Sequence, residues 1–317
     1  MEVWSNYYVN EREPLISVIM GVYNQRNRES LRQAVFSILS QTFQELEFII
    51  YDDGSRPEAA AYIQELREVD PRIVLIGKEE NHGLAFSLNA CIEHARGKYI
   101  ARMDADDVSD AGRLQAQYSF MESHPEYAWC GCNARLFDEN GVWGCREMPE
   151  KPDYKDYLKY SPYIHPTVMY RREIFEQDGA YKTEEEMLRC EDYEIFMRLR
   201  RHGFQGYNIQ QYLFSYREDK ESFQRRKMKY RVNEAKLRYR NFKAMKLLFP
   251  VGWLYVIRPV AGGLLPAGAV ARLKRTEAQM HSDYLKSGAA GYEKKQLENS
   301  GSHYGNLHTD GLLLRGR

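Results

Sequence analysis

Apolar and polar residues alternate in blocks over the first hundred positions. LISVIMGV (15–22) is an unbroken apolar, β-branched run, which predicts a buried strand. In SLRQAVFSILSQ (30–41), Leu31, Ala34, Val35, Ile38 and Leu39 recur at helical spacing. LEFIIYDDGS (46–55) predicts a second strand that ends in Asp52 and Asp53 and then a Gly-Ser turn. PEAAAYIQELREV (57–69) predicts a helix with proline in its first turn. RIVLIG (72–77) reads as a third strand, GLAFSLNACIEHARG (83–97) as a helix closed by Gly97, and KYIARM (98–103) as a fourth strand. This alternation predicts an α/β fold: a mainly parallel, Rossmann-like sheet with helices on both faces.

After about residue 110 the pattern changes. RLQAQYSFMESHP (113–125) is helical, and YAWCGCNARLFDENGVWG (127–144) reads as a hairpin or as irregular strands around Glu139-Asn140-Gly141. TVMYRREIFEQDG (167–179) predicts a short strand and a helix. EDYEIFMRLRRHG (191–203) is an amphipathic helix with Ile195, Phe196 and Leu199 inward, and YNIQQYLFSYR (207–217) is a strand. There is no internal repeat. Residues 217–246 then carry twelve Lys or Arg against four Asp or Glu. They lead into LLFPVGWLYVIRPVAGGLLPAGAV (247–270), whose only charge is Arg258. That stretch has the length of a membrane span, but Pro250, Pro259, Pro266 and Gly262-Gly263 interrupt it. Two readings stand: a segment that dips into an anionic membrane surface beside a basic helix, or a helical hairpin packed on the catalytic domain or on a second subunit in a homodimer. The expected organisation is an N-terminal extension (1–13), an α/β domain (14–217), a basic and apolar helical extension (218–284) and a tail (285–317) whose composition predicts disorder.

Composition narrows the function classes. The 317 residues are 43% hydrophobic and 28% charged, enough for a sizeable core and too polar for a membrane bundle. Forty-five acidic residues balance forty-five Lys and Arg, which argues against a general nucleic-acid partner. The first residues contain no apolar run of the secretory kind, so the expectation is a cytoplasmic protein. The five cysteines are then expected to be reduced thiols. A zinc site on Cys130, Cys132 and Cys145 is the alternative, although the spacing is not one of the usual pairs.

In parallel α/β sheets, ligands bind outside the carboxyl ends of the strands. Two acidic groups, Asp52/Asp53 and Asp104/Asp106 with Asp107 beside them, fall at predicted strand ends and would share one edge. An Asp-x-Asp turn is by itself often just solvated. Here it could instead gather two carboxylates on a hard divalent ion that keeps positions for phosphate oxygens. Asp52 and Asp53 are either a strand-ending turn or acceptors for a ribose hydroxyl or base N–H. The loop VYNQRN (22–27) would face the same crevice. Asp192, in the first turn of its helix, is either a dipole-favoured acid or a general base for a sugar hydroxyl. His165 is expected to be structural, and Arg171-Arg172 a solvated helix start.

Together, PLISVIMGVYN, SQTFQELEFIIYDDGS, NHGLAFSLNACIEHARGKYIARMDADD, HPTVMYRREIFEQDGAY and CEDYEIFMRL, in this order, resemble the inverting family-2 glycosyltransferases of the GT-A fold, over about residues 14–217. The resemblance implies a metal-assisted transfer of sugar from a nucleotide-sugar donor, a UDP-sugar by default, to a carbohydrate or lipid-linked acceptor. It also implies roles. Asp52 and Asp53 would lie at the nucleotide base and ribose, and Tyr23 and Asn24 in the loop beside them. Asn81 and Gly83 would lead to the helix under the diphosphate. Asp104 and Asp106 would hold Mn²⁺ or Mg²⁺ and the diphosphate, and Asp192 would be the catalytic base. One departure stands out: where the family often has Arg-x-His, this chain has Arg217-Glu218-Asp219, which leaves Arg217 alone to neutralise phosphate. A sugar-nucleotide nucleotidyltransferase would want a Gly-rich loop after the first strand. GVYNQRNRES has one glycine, ahead of that loop. A non-catalytic nucleotide-binding protein would have no use for Asp192 together with Asp104 and Asp106.

Overall fold

The computed structural model describes residues 4–5, 13–218 and 227–264. Its centre is one sheet of ten strands: β1 (Trp4–Ser5), β2 (Ile16–Val22), β3 (Leu46–Asp53), β4 (Ile73–Lys78), β5 (Tyr99–Arg102), β6 (Val108–Ser109), β7 (Trp129–Asp138), β8 (Gly141–Arg146), β9 (Met169–Arg171) and β10 (Gly206–Arg217). They lie in the order β1-β4-β3-β2-β5-β9-β7-β10-β6, with β8 pairing outside this path with β7. β4, β3, β2 and β5 are mutually parallel, and β7 and β10 are parallel to each other. β9 runs antiparallel between the two groups and joins them. β7 and β8 pair antiparallel, which decides for the hairpin of the two readings of residues 127–144.

The helices are α1 (Arg28–Leu39), α2 (Pro57–Glu65), α3 (Leu84–His94), α4 (Arg113–Ser123), α5 (Asp156–Lys159), α6 (Glu173–Asp178), α7 (Glu191–Arg201), α8 (Met228–Ala244) and α9 (Trp253–Gly263). Side chains alternate across each central strand, so every strand feeds two cores. Val18, Met20 and Val22 of β2 meet Leu31, Val35 and Ile38 of α1, Ile63 of α2 and Leu114 of α4. Ile19 of β2, with Ile49 and Tyr51 of β3, joins Leu88 of α3, Phe196 of α7, Leu237 of α8 and Val256 of α9 on the other face. Each such aliphatic side chain, fully buried, contributes about 1.5–3 kcal/mol, which is why the apolar runs commit to strands covered on both sides.

Several details differ from expectation. The helix beginning at Leu84 ends at His94, and Gly97 does not cap it. Instead Gly97 lets the chain cross β2 closely: a Cβ there would lie 2.5 Å from the Ser17 nitrogen. A buried polar knot fixes this crossing. Glu47 of β3 accepts from Ser17 Oγ (2.7 Å) and from the Arg96 backbone and guanidinium, while the Gly97 N–H donates to Ser17 Oγ (2.8 Å). Arg171 and Arg172 are not a solvated helix start. Arg171 donates to the carbonyls of Met121, His124 and Tyr127, and Arg172 to those of Ala95 and Arg96. They satisfy the orphan carbonyls after α4 and α3. None of the five cysteines forms a disulfide, and all are buried. Among the described residues, the group of three or more His, Cys, Asp or Glu that could hold a metal is the aspartate cluster, so no zinc set involving the cysteines is present there.

Residues 247–264 form a kinked turn (Leu248–Gly252), with an extended backbone at Phe249 (φ −109°, ψ 144°), and then α9, which packs back along α8. Residues 265–270 of the predicted apolar stretch, and the tail at 285–317, lie outside the described residues. Among the described residues, no helix is long and apolar enough to cross a membrane.

Candidate active site

Register brings the carboxyl ends of the parallel strands to one edge. Val22 is opposite Asp52, Ile19 opposite Arg102 and Asp53 opposite Lys78. The loops that leave these ends are tied together. Asn24 holds a left-handed backbone (φ 48°), its N–H donates to Ser55 Oγ (2.9 Å), and its side-chain oxygen accepts from the Arg56 N–H (2.8 Å). Tyr23 beside it is exposed. Gln25 reaches across to the Ala105 carbonyl (3.3 Å), joining the first loop to the acidic turn.

Asp52 and Asp53 differ in what they do. Asp52 is buried and accepts from the Ser55 N–H (3.0 Å), closing the Gly-Ser turn. Asp53 is a clamp on the next loop: Oδ1 accepts from the His82 N–H (2.9 Å), and Oδ2 from Asn81 Nδ2 and the Gly83 N–H (both 2.7 Å). Burial pushes both carboxyls upward, and these hydrogen bonds oppose it. Asn81 and Gly83 are therefore placed by Asp53 at the start of α3, where the helix presents its N-terminal N–H groups.

The turn after β5 holds Asp104, Asp106 and Asp107, each with a carboxylate oxygen within 4.8 Å of the others. Arg102 is 2% exposed and forms an ion pair with Asp104 at 2.5 Å. Burial opposes its charge, and Asp104, with smaller help from Tyr181 and Asp107, outweighs it, so the guanidinium is held charged. Asp107 is also buried: Oδ1 accepts from the Arg217 N–H at 2.7 Å, whereas Oδ2 is buried with no hydrogen-bond partner. Arg217 Nε donates to the Asp106 carbonyl (3.0 Å), so the end of β10 closes over the turn from 110 residues away. Asp106 is pushed up to about 6 by desolvation first and by the Asp104 charge next, although water at its open face screens part of that repulsion. Asp107 is raised well above the usual carboxylate range by burial and by the same neighbours. Close oxygen ligands, mutual repulsion and the unpartnered Oδ2 fit a hard divalent cation.

Asp192 sits in the first turn of α7. The phenols of Tyr170 and Tyr181 feel the charges of both Asp192 and Arg102, and Tyr181 that of Asp104 as well. His165 is buried and shares a 2.7 Å hydrogen bond with Tyr181 Oη. Burial holds its pKa well below the usual value, so it is a neutral, structural imidazole, as expected.

Sequence reasoning missed three supports of this site. Gln25 carries no signal of its own. Arg113 is wholly buried and donates to the Arg102 and Pro166 carbonyls, holding the strand end from below. Arg102 did leave a signal: it stands two residues before Asp104, and side chains two apart in an extended chain share a side.

Residues 17–179 match the sequence profile described as Glycosyl transferase family 2. The chain belongs to that family. Among its relatives, this family-2 glycosyltransferase is 36% identical over 274 residues to EpsE of Bacillus subtilis, itself assigned as a glycosyltransferase, covering 86% of this chain and 97% of that one. It is 29% identical over 256 residues to the amylovoran biosynthesis glycosyltransferase AmsE of Erwinia amylovora, covering 80% and 95%. Its fold is that of the mannosyltransferase PcManGT of Pyrobaculum calidifontis, solved with GDP-Man and Mn²⁺ (TM-score 0.56, 17% identity, 88% and 87% covered). It also matches S. aureus TarS residues 1–349, solved with UDP-GlcNAc (TM-score 0.57, 15% identity, 78% and 70% covered). The family-2 enzyme thus has the GT-A architecture, with its acidic turn at the strand edge described above.

Proposed function

We propose that this glycosyltransferase moves a sugar, with inversion, from a nucleotide-sugar donor to a carbohydrate or lipid-linked acceptor in the assembly of a polysaccharide. The supporting observation is the acidic turn at the carboxyl end of β5, closed over by Arg217. Relatives named for amylovoran, teichuronic acid and O-antigen biosynthesis support the polymer class. A UDP-sugar is the default donor; GDP-Man in a structural neighbour keeps the GDP-sugars in the test.

Asp52, with Asp53 behind it, receives the nucleoside beside Tyr23 and Asn24. Asn81 and Gly83 present the start of α3 to the diphosphate. Asp192 takes the proton from the acceptor hydroxyl as its oxygen attacks the anomeric carbon from the face opposite the diphosphate. Arg217 balances charge on the departing phosphate. Asp104 and Asp106, with Asp107 beside them, would hold Mn²⁺ or Mg²⁺, which supplies a Lewis acid for the leaving diphosphate. No enzyme nucleophile is required, because a single displacement inverts the centre. The enzyme works in the cytoplasm, at the inner face of the membrane where lipid-linked acceptors sit.

A thermal-shift panel of nucleoside diphosphates and nucleotide sugars, with and without Mn²⁺, tests this reading. A cognate nucleotide at a hundredfold over its Kd adds about 2.7 kcal/mol of stability. A panel in which no nucleotide moves the melting temperature, with or without the metal, overturns it.

A further inference from the structure

We propose that the outer face of α9, flanked by the basic side of α8, docks on an anionic lipid surface; this deepens the reading of a lipid-linked acceptor and rests on it only for its purpose. One side of α9 is used inside the protein: Val256 and Pro259 are buried against α8. The other side is apolar and open. Leu254 is 65% exposed, with Trp253 and Ile257 beside it; Phe249 (80%) and Val251 in the turn before the helix and Leu264 just after it are exposed too. Trp253 packs on Tyr239 of α8 with ring centroids 5.3 Å apart, so two amphipathic aromatics mark the seam between the helices.

Length excludes a span. The eleven residues of α9 extend about 16 Å, half of the roughly 30 Å hydrocarbon layer. Such a helix lies in the interface with its apolar face down.

Charge selects the occupant. Residues 227–264 contain nine Lys and Arg; Arg238 pairs with the one acid there, the buried Glu234, and Lys229 and Arg240 pair with Glu185 and Glu186. Lys236, Lys243, Lys246 and Arg258 are exposed. A second copy of this face would set cations against cations. The following segment, 265–317, carries eight Lys and Arg against five Asp and Glu, so it offers no complement either. An anionic headgroup layer over an apolar interior matches both features.

Position gives the surface a use. α8 rests on the segment that leads into α7: Arg240 pairs with Glu186 (3.3 Å) and Lys229 with Glu185, and Arg238 lies 4.9 Å over the ring of Tyr193, the residue after Asp192. A docked α8–α9 layer therefore holds the start of α7 one helix away from the bilayer, where a lipid-linked sugar would present its hydroxyl.

The test is sedimentation of the full-length protein with vesicles of phosphatidylcholine containing increasing phosphatidylglycerol, at low and high salt. Binding is expected to rise with the anionic lipid and weaken with salt. The double variant Leu254→Glu/Ile257→Glu should lose partitioning roughly tenfold or more, and Lys243→Glu/Lys246→Glu should lose a similar factor together with most of the salt dependence. All four positions are exposed, so melting temperature and donor hydrolysis in solution should stay at wild-type values. Those two measurements report on the transferase reading, so failure there is distinct from failure on vesicles. Protein that stays in the supernatant under every condition overturns the proposal, as does equal binding to neutral and anionic vesicles. A wild-type dimer that Leu254→Glu/Ile257→Glu converts to monomer, without vesicle binding, assigns the face to a second copy instead.

Discussion

Replacing Arg102 by methionine keeps much of the side-chain volume and removes the charge, so it isolates the electrostatic task of that residue. Arg102 is 2% exposed and pairs at 2.5 Å with Asp104, whose side chain is 28% exposed, while Asp107 is fully buried close by. Removing one partner of a buried pair costs on the order of 3–5 kcal/mol. Water reaching Asp104 screens part of that, so the expected loss at pH 7.5 is at the lower end, about 3 kcal/mol. That is a large share of the 5–15 kcal/mol or so that holds a typical domain folded. The pH dependence gives the diagnostic. Asp106 is pushed up to about 6 in the fold and Asp107 is also raised, so between about pH 4 and 6 the folded chain keeps protons that the unfolded chain has lost. Metal-free stability must therefore fall as pH rises through that window, and more steeply in Arg102→Met, where no guanidinium offsets the carboxylates. Urea unfolding in EDTA at pH 5 and pH 7.5, followed by tryptophan fluorescence, should show a larger loss at the higher pH. A loss of the same size at both values would mean that Arg102 acts by packing alone. A variant within about 0.5 kcal/mol of wild type at both would refute the counter-charge argument outright.

Asp106→Asn removes a proposed metal ligand and a source of repulsion together: nucleotide release with Mn²⁺ should collapse while the metal-free melting temperature holds or rises, and wild-type activity in this variant would remove Asp106 from the proposed metal site. Asp192→Asn keeps the shape of the first turn of α7 and loses the proposed proton acceptor. Its donor Kd should stay near wild type while transfer falls by roughly 10²–10⁴. A collapse of donor affinity instead would make Asp192 a donor-binding or structural group.

The order of strands and helices was legible in the sequence, because burial against two cores writes itself as unbroken apolar runs and helical spacing. Chain order also put Asp52, Asp53, Asp104, Asp106 and Asp107 at the ends of β3 and β5, and parallel strands put those ends on one edge. What the sequence could not decide was who pairs with whom across long separations. Arg217 closes over Asp106 and Asp107 because β10 pairs antiparallel with β6, setting Ser215 opposite Val108, a pairing that no local pattern encodes. Asp53 became a clamp on residues 81–83 because their N–H groups need acceptors, and the identity of those acceptors depends on how the loops meet. Gly97 resembled a helix cap and proved to be a crossing point, and Arg171 and Arg172 resembled solvent-facing charges and proved to hold two helix ends. The apolar stretch after residue 247 was ambiguous for the same reason. Hydrophobicity measures the preference to leave water, and only the packing of α9 on α8 decided which of its faces did so.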